Sequence, residues 1–313
     1  MSNRRILIID EMHDSISPLL TQAGFEPVYA PKISRKEMMQ HKVQFVGFVV
    51  RSKTTIDREL LEGQTELKFI ARAGAGVDQV DVPYLASRNI TLLNAPEGNR
   101  DALGEHVLGM LLCLSNNLRH ADMEVRNKVW DREGNRGFEI SGKTVGLLGY
   151  GYMGSAVAEK LAGFGCRVIA YDKYKENYGD LYAEQVAMED IFEQSDIFSL
   201  HVPLTTETKC LVDLEYLRKF KKPIVFINAA RGEVVPLKDL LDALDEGTVR
   251  MAALDVLENE KLSFLKDDQA ITFNRLIKND RVLLSPHVGG WSFESYQKIN
   301  EVLVDKIKQL DLP

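Results

Sequence analysis

The chain is poor in the features that specialised settings demand. None of its 313 residues belongs to an apolar run near the ~18 positions of a membrane helix. The longest such stretches, 45–50 and 107–114, suit a buried strand and a core helix. Cysteine is scarce: Cys113, Cys166 and Cys210 are odd in number, widely spaced and set in apolar-periodic segments. That excludes a disulfide framework or a zinc cluster and reads as reduced thiols. Cations are outnumbered, 39 Lys and Arg against 46 Asp and Glu, giving a formal net charge of −7. Nucleic acid is therefore not an expected partner, whereas a small anion needs only a few local cations. No targeting signal is read at the N-terminus, where Arg4 and Arg5 precede four apolar residues and then Asp10 and Glu11. Repeats and low-complexity linkers are also missing. The expectation is a cytoplasmic globular protein with no membrane partner and no metal.

What is present is a double α/β rhythm. Strand-like runs at 5–10, 45–50, 68–72 and 90–94 alternate with helix-like stretches at 15–23, 57–62 and 82–88. A second series follows at 143–149, 167–171, 197–200, 224–228, 252–256 and 282–284, with helices expected at 153–164, 213–219 and 237–245. Such alternation implies parallel sheets covered on both faces. A long apolar-periodic helix, 101–117, is expected to cross from one domain to the other. The final helix, 292–310, follows a Gly-Gly break with no strand after it and is expected to return to the first domain. The division is thus 1–97 plus 286–313 in one domain and 98–285 in the other, around a cleft that closes on substrate. The charged, weakly patterned segment 258–280 reads as a long irregular loop, a kind that is often functional.

Gly149-Tyr-Gly-Tyr-Met-Gly154 is a G-x-G-x-x-G. The spacing alone is a weak signal, but here it directly follows an apolar strand and opens a helix. Gly149 permits a tight turn, Gly151 lets backbone approach a pyrophosphate, and Gly154 allows helix and strand to pack closely. The helix N-terminus then faces the phosphates with its positive end. The next strand ends at Asp172, 18 residues after Gly154, where a carboxylate can accept hydrogen bonds from a ribose diol. An acid there repels a 2′-phosphate, so NAD is expected rather than NADP, with Lys173 weakening the preference slightly.

The strand at 224–228 runs into Asn228-Ala-Ala-Arg231, placing Arg231 at the strand end where open α/β sheets bind ligands. Its planar fork can grip a carboxylate bidentately, although a surface salt bridge is the equally weighted plain reading. His287 follows Pro286 and precedes Gly289 and Gly290, a rigid crossing. A lone histidine is more often structural. A His, a carboxylate and an Arg at the rim of a nucleotide fold are nonetheless the parts needed to dehydrogenate a hydroxy acid.

With these residues in view, the sequence resembles the D-isomer-specific 2-hydroxyacid dehydrogenases. The resemblance runs over nearly the whole chain and rests on motifs in order: Arg72-Ala-Gly-Ala-Gly-Val-Asp78, Asn94-Ala-Pro-Glu-Gly-Asn99, the glycine loop, His201-Val-Pro-Leu-Thr205, Ala230-Arg-Gly232, Ala253-Leu-Asp255 and Pro286-His-Val-Gly-Gly290. It implies a Rossmann-type NAD-binding domain with a smaller flavodoxin-like α/β substrate domain. Arg231 would anchor the substrate carboxylate and carbonyl oxygen, His287 would be the acid–base group, and Glu260 would hold and polarise it. Asp255 would face the nicotinamide carboxamide, with Val202 and Ala229 giving backbone contacts. Tyr152, Met153, Pro203, Thr208, Ala230, His287 and Gly290 complete the implied cofactor set. The Gly74-Ala75-Gly76 turn would offer N–H donors to the substrate carboxylate. The chain departs from the family's pattern in having Tyr152 and Met153 where Arg and Ile are usual, and Lys261 where Pro commonly follows the Glu. The segment from there to His287 is also longer than usual.

Arg51, Ser52 and Arg72 follow apolar strands and are expected at the substrate, with Arg132 a further candidate cation. Several arginines around a small site suit a phosphorylated 2-hydroxy or 2-oxo acid, the plain reading being pairs with surface acids. The alternatives are a glyoxylate or hydroxypyruvate reductase and, from another class, a dinucleotide-responsive corepressor-like scaffold. The last would carry partner-binding tails, and the chain stops at Pro313 without room for a regulatory domain. A homodimer is expected, because the apolar 102–118 helix and the following arm with Trp130 and Phe138 are too apolar to stay exposed.

Overall fold

The structure is a computed structural model and describes residues 4–41, 43–310 and 312. The chain forms two compact units, Met1–Arg100 with Trp291–Pro313, and Asp101–Gly290. Relative to the expected division, residues 98–100 fall in the first unit and 286–290 in the second. His287 therefore shares a unit with Arg231 and Glu260.

The first unit is built on five parallel strands: β1 (Arg5–Ile8), β2 (Glu26–Tyr29), β3 (Gly47–Val50), β4 (Phe69–Arg72) and β5 (Thr91–Asn94). Their order, β2-β1-β3-β4-β5, is the flavodoxin-like one. Alternate residues face opposite layers: Ile6, Ile8, Val49, Phe69 and Ala71 pack on one side, Leu7, Phe48, Val50 and Ile70 on the other. The first of these layers is completed by Ile299, Leu303, Val304 and Ile307 of the C-terminal helix Phe293–Lys308. That helix starts where its cap dictates. The Ser292 hydroxyl accepts from the Ser295 amide at 3.0 Å, and the Ser292 amide donates to Ser295 Oγ at 2.8 Å. Gly98 lets the helix approach: a Cβ there would lie 2.7 Å from the backbone of Ile299.

Seven parallel strands form the second unit: β6 (Thr144–Leu148), β7 (Arg167–Tyr171), β8 (Glu184–Gln185), β9 (Ile197–Leu200), β10 (Ile224–Asn228), β11 (Val249–Leu254) and β12 (Val282–Leu284). The order β12-β11-β10-β9-β6-β7-β8 is the doubly wound dinucleotide-binding pattern with one strand added. Its direction of winding reverses between β6 and β9, and there the carboxyl ends of the strands open a crevice. Phe198, Phe226, Leu240 and Leu244 are among the residues that fill one layer, while Leu147, Val157, Val225 and Ala253 belong to the other.

Two segments differ from the reading of the sequence. Residues 258–280 are not irregular throughout: a short 3-10 turn, Leu262–Phe264, leads into a helix, Asp267–Leu276. Only Leu276 of that helix is buried, so almost no apolar periodicity announced it. Beyond the long helix Pro96–Ser115, Asn117 adopts a left-handed φ of 52° and a new helix, Leu118–Arg126, begins. Among the described residues no helix is long and apolar enough to cross a membrane.

Candidate active site

The glycine loop joins β6 to the helix Tyr152–Leu161 at the reversal point. Gly149 has φ +95°, and a Cβ on it would meet the His201 carbonyl at 2.5 Å; one on Gly154 would meet the Gly149 carbonyl at 2.2 Å. Both positions therefore exclude side chains. Gly151 has nothing within 4 Å, so its backbone faces open space at the N-terminal end of the helix. A cramped turn with one open glycine and a helix N-terminus behind it fits a dinucleotide pyrophosphate. Tyr152 is exposed and Met153 partly buried in the same first turn.

Asp172, just past β7, is half-buried. Its Oδ2 accepts the Tyr150 amide at 2.9 Å and its Oδ1 the Tyr174 amide at 3.0 Å. Each oxygen keeps a second lone pair, so the carboxylate braces the loop and can still accept from a ribose. Lys173 is engaged with Glu207 at 2.8 Å, a pairing the sequence did not reveal. A 2′-phosphate would thus meet two carboxylates beside one cation that is already paired. Across the crevice, Thr208 Oγ1 donates to the Pro203 carbonyl at 2.7 Å and accepts the Thr205 amide at 2.8 Å, closing the loop after Val202. His201 is the structural histidine of its motif: burial depresses it to about 4, keeping it neutral, and its Nε2 meets Ser199 Oγ at 2.9 Å.

The expected reacting groups gather at the ends of β10, β11 and β12. His287 Nδ1 lies 2.8 Å from Glu260 Oε1, both side chains a little under half exposed. The hydrogen bond to Glu260 raises the imidazole's pKa, against burial and the Arg231 charge, which lower it. Arg231 leaves β10 through a loop that Asn228 holds: Asn228 Oδ1 accepts the Ala230 amide and its Nδ2 donates to the Arg231 carbonyl, each at 3.0 Å. Ala229 and Ala230, between them, are buried. A cavity of about 350 Å³ lined by Glu260, Leu262, Phe273, Leu284, Pro286 and His287 adjoins the pair.

Asp255 is buried under the His287 turn. Its Oδ1 accepts Ser285 Oγ at 2.7 Å and the Val288 amide at 3.0 Å, its Oδ2 the Gly289 amide at 2.7 Å, and His106 Nε2 stands 3.3 Å away. Burial opposes ionisation, but these donors from His106, Ser285, Val288 and Gly289 outweigh it and hold the carboxyl well below the usual carboxylate range. His287 itself has φ +54°, a conformation that costs a non-glycine residue ~1–2 kcal/mol. Its amide donates to the Asp255 carbonyl at 2.7 Å. Asp255 therefore fixes the turn presenting the imidazole, and in this structure its carboxylate faces that turn, which ends at Gly290. Neither Ser285 nor His106, brought in from the long helix, is singled out by the sequence.

Arg132 lies in the second unit and is exposed, whereas the remaining expected substrate residues lie in the first unit. Gly74 (φ +131°) opens the turn after β4, and a Cβ there would collide with the Arg72 guanidinium. The turn is fastened by Asn94 Nδ2 to the Ala75 carbonyl at 2.7 Å and by the Ala95 amide to the Gly74 carbonyl at 2.9 Å; Gly76 is partly buried. Arg51 follows β3, its amide donating to Asp10 at 2.6 Å, and Ser52 beside it is exposed. A larger hollow of about 610 Å³ in this unit is lined by Lys53 and Arg35. There Arg35 is paired with Asp57 and Glu59, and Lys53 with the carbonyls of Pro31 and Ile33. Those two cations are spent on structure.

A fold wound in the dinucleotide-binding order, with a glycine loop at the reversal and a His–Glu pair facing an Arg, defines a class of nucleotide-dependent protein. Residues 108–289 match the family described as "D-isomer specific 2-hydroxyacid dehydrogenase, NAD binding domain". The chain belongs to that family, and its second unit carries the family's NAD-binding domain. D-3-phosphoglycerate dehydrogenase of Mycobacterium leprae (strain TN) is 35% identical over 306 residues, covering 97% of this chain and 56% of that protein. The chain spans a little over half the length of the phosphoglycerate dehydrogenases it matches. Hydroxypyruvate reductase of Thermotoga maritima is 31% identical and matches over 98% of both chains. Among solved structures, a D-lactate dehydrogenase from Aquifex aeolicus complexed with NAD and lactic acid superposes with a TM-score of 0.81 at 25% identity, over 97% of this chain and 94% of that one.

Proposed function

We propose that the protein is an NAD-dependent dehydrogenase acting at carbon 2 of a small D-2-hydroxy acid, with 3-phosphoglycerate and 3-phosphohydroxypyruvate as the pair it serves in serine biosynthesis. The carrying observation is the His287–Glu260 pair at 2.8 Å beside Arg231. NAD, when bound, supplies the hydride acceptor. His287 takes the hydroxyl proton in oxidation and returns it in reduction, which positioned groups accelerate typically ~10²–10⁴-fold. Glu260 stabilises the imidazolium, and Arg231 offers a fixed cation to the substrate's carboxylate and developing oxyanion. The Gly74–Gly76 turn supplies amide donors, while Arg51 and Arg72 answer a second anionic group. Asp172 and Glu207 favour NADH over NADPH.

A specific observation favours a second reading, hydroxypyruvate reduction: the Thermotoga maritima hydroxypyruvate reductase matches this chain over its full length. Turnover of 2-oxo acids with NADH separates the two. Phosphohydroxypyruvate should exceed hydroxypyruvate, glyoxylate and pyruvate in kcat/KM by at least tenfold. Equal or better use of hydroxypyruvate would establish the second reading instead.

A further inference from the structure

Arg51 does not stand alone at the end of β3. Its guanidinium carbon lies 4.2 Å from the centre of the Trp291 ring and 5.3 Å from that of Tyr296, and the two rings sit 5.0 Å apart. Arg51 Nη1 donates to the Glu11 carbonyl at 3.4 Å, so one edge is tethered while one face is covered by aromatic surface. Trp291 follows the double glycine, and Tyr296 lies in the first turn of the C-terminal helix. Half of the Trp291 surface, 49%, is open to solvent. An indole kept only to fill the core would be buried. Its face is instead used as a platform, and a guanidinium held over a ring spends its face there, which leaves the N–H groups not bonded to Glu11 or Tyr296 for a ligand.

The position of that platform matters. Val50, the last residue of β3, is in register with Arg72, the last of β4. Arg51 and the turn that begins at Gly74 therefore leave neighbouring strands of one sheet, ~5 Å apart. A carboxylate bound by the turn's amides would leave a second anion on the same small molecule within reach of the Arg51 edge.

We propose that Trp291, supported by Tyr296, is the positioning residue that sets selectivity for a 2-oxo acid carrying a second anionic group, by holding Arg51 over its ring. The inference rests on the phosphorylated-substrate reading above. Trp291 touches Arg51 and acts through it.

The test compares kcat/KM for phosphohydroxypyruvate and hydroxypyruvate in wild type, W291L, W291F, R51A and the R51A/W291L double variant. Leu keeps bulk without a π face, and NADH binding checks that each variant is folded. W291L should lower the phosphorylated-to-unphosphorylated ratio about 3- to 10-fold through the KM of the phosphorylated substrate. W291F should restore most of it, and W291L should add nothing once Arg51 is gone. A wild type without preference for the phosphorylated acid would overturn the functional reading and this inference together. A wild type that prefers it, with W291L keeping the ratio, lowering kcat equally for both substrates or acting undiminished on R51A, would overturn this inference alone.

Discussion

At the residue scale, the hydrogen bond with Glu260 governs the protonation of His287. Glu260 favours the charged imidazole, so the fold keeps His287 protonated to a higher pH than an ordinary histidine. Reduction needs that proton and should lose rate as pH rises through the raised pKa; oxidation needs the free base and should lose rate as pH falls through it. Glu260→Gln keeps an acceptor but removes the charge. The descending limb of the reduction profile should then move to lower pH, with turnover near neutrality down roughly 10- to 10²-fold. An unmoved limb would dissociate Glu260 from the titration. Asp172 calls for a similar separation of charge from hydrogen bonding, because it also accepts the Tyr150 and Tyr174 amides. Asp172→Asn keeps one acceptor but sets its NH2 against the other amide, so it loosens the loop as well as removing the charge. It should narrow an NADH-over-NADPH preference of about 10²-fold, mainly by weakening NADH. Equal use of both cofactors by the unaltered protein would remove Asp172 from the ribose.

At the scale of elements, strands with continuous apolar runs and the Gly149–Gly154 turn were legible because burial on both faces and a tight bend each leave a mark in the sequence. What escaped were weakly marked elements. β2 contains Pro27 and lies at a sheet edge, where a missing amide is tolerated. β8 is two residues at the opposite sheet's edge, and Asp267–Leu276 buries a single side chain. In the candidate site, residues next to motifs were readable, whereas His106 beneath Asp255, Glu207 on Lys173 and Trp291 on Arg51 depend on chain crossings that no local pattern encodes. Gly98 is one crossing that can be weighed. Ala would gain about 1 kcal/mol of helix propensity, but its Cβ would stand 2.7 Å from the Ile299 backbone, an overpacking that costs typically 1–3 kcal/mol. Gly98→Ala should therefore destabilise by up to about 2 kcal/mol in denaturant titration; a stabilised variant would mean the C-terminal helix yields freely.

At the scale of the molecule, the helix Leu118–Arg126 buries none of its residues within the chain, and Leu118, Met123, Val125, Val129 and Trp130 are all exposed, Trp130 by 80%. So large an apolar strip seeks a cover, and we propose a second copy of the same chain. Light scattering at micromolar concentration should give a dimeric mass that Trp130→Asp reduces; a monomeric wild type would count decisively against it.

The layer closed by Ile299, Leu303, Val304 and Ile307 has a consequence in time rather than in space. On the ribosome, β1 to β5 emerge first with the helix Ile16–Gln22 over part of one face, yet that face is not fully covered until a helix encoded beyond the whole nucleotide unit has been made. The second unit, with all its strands in one continuous stretch, can mature while the first is still waiting. For the length of that delay the part of the layer that Ile299, Leu303, Val304 and Ile307 will cover stays open on a nascent chain. We predict that slowing translation across residues 101–290 lowers the soluble yield of the protein, as fractionation of the synthesised chain would measure; an unchanged yield would count against it.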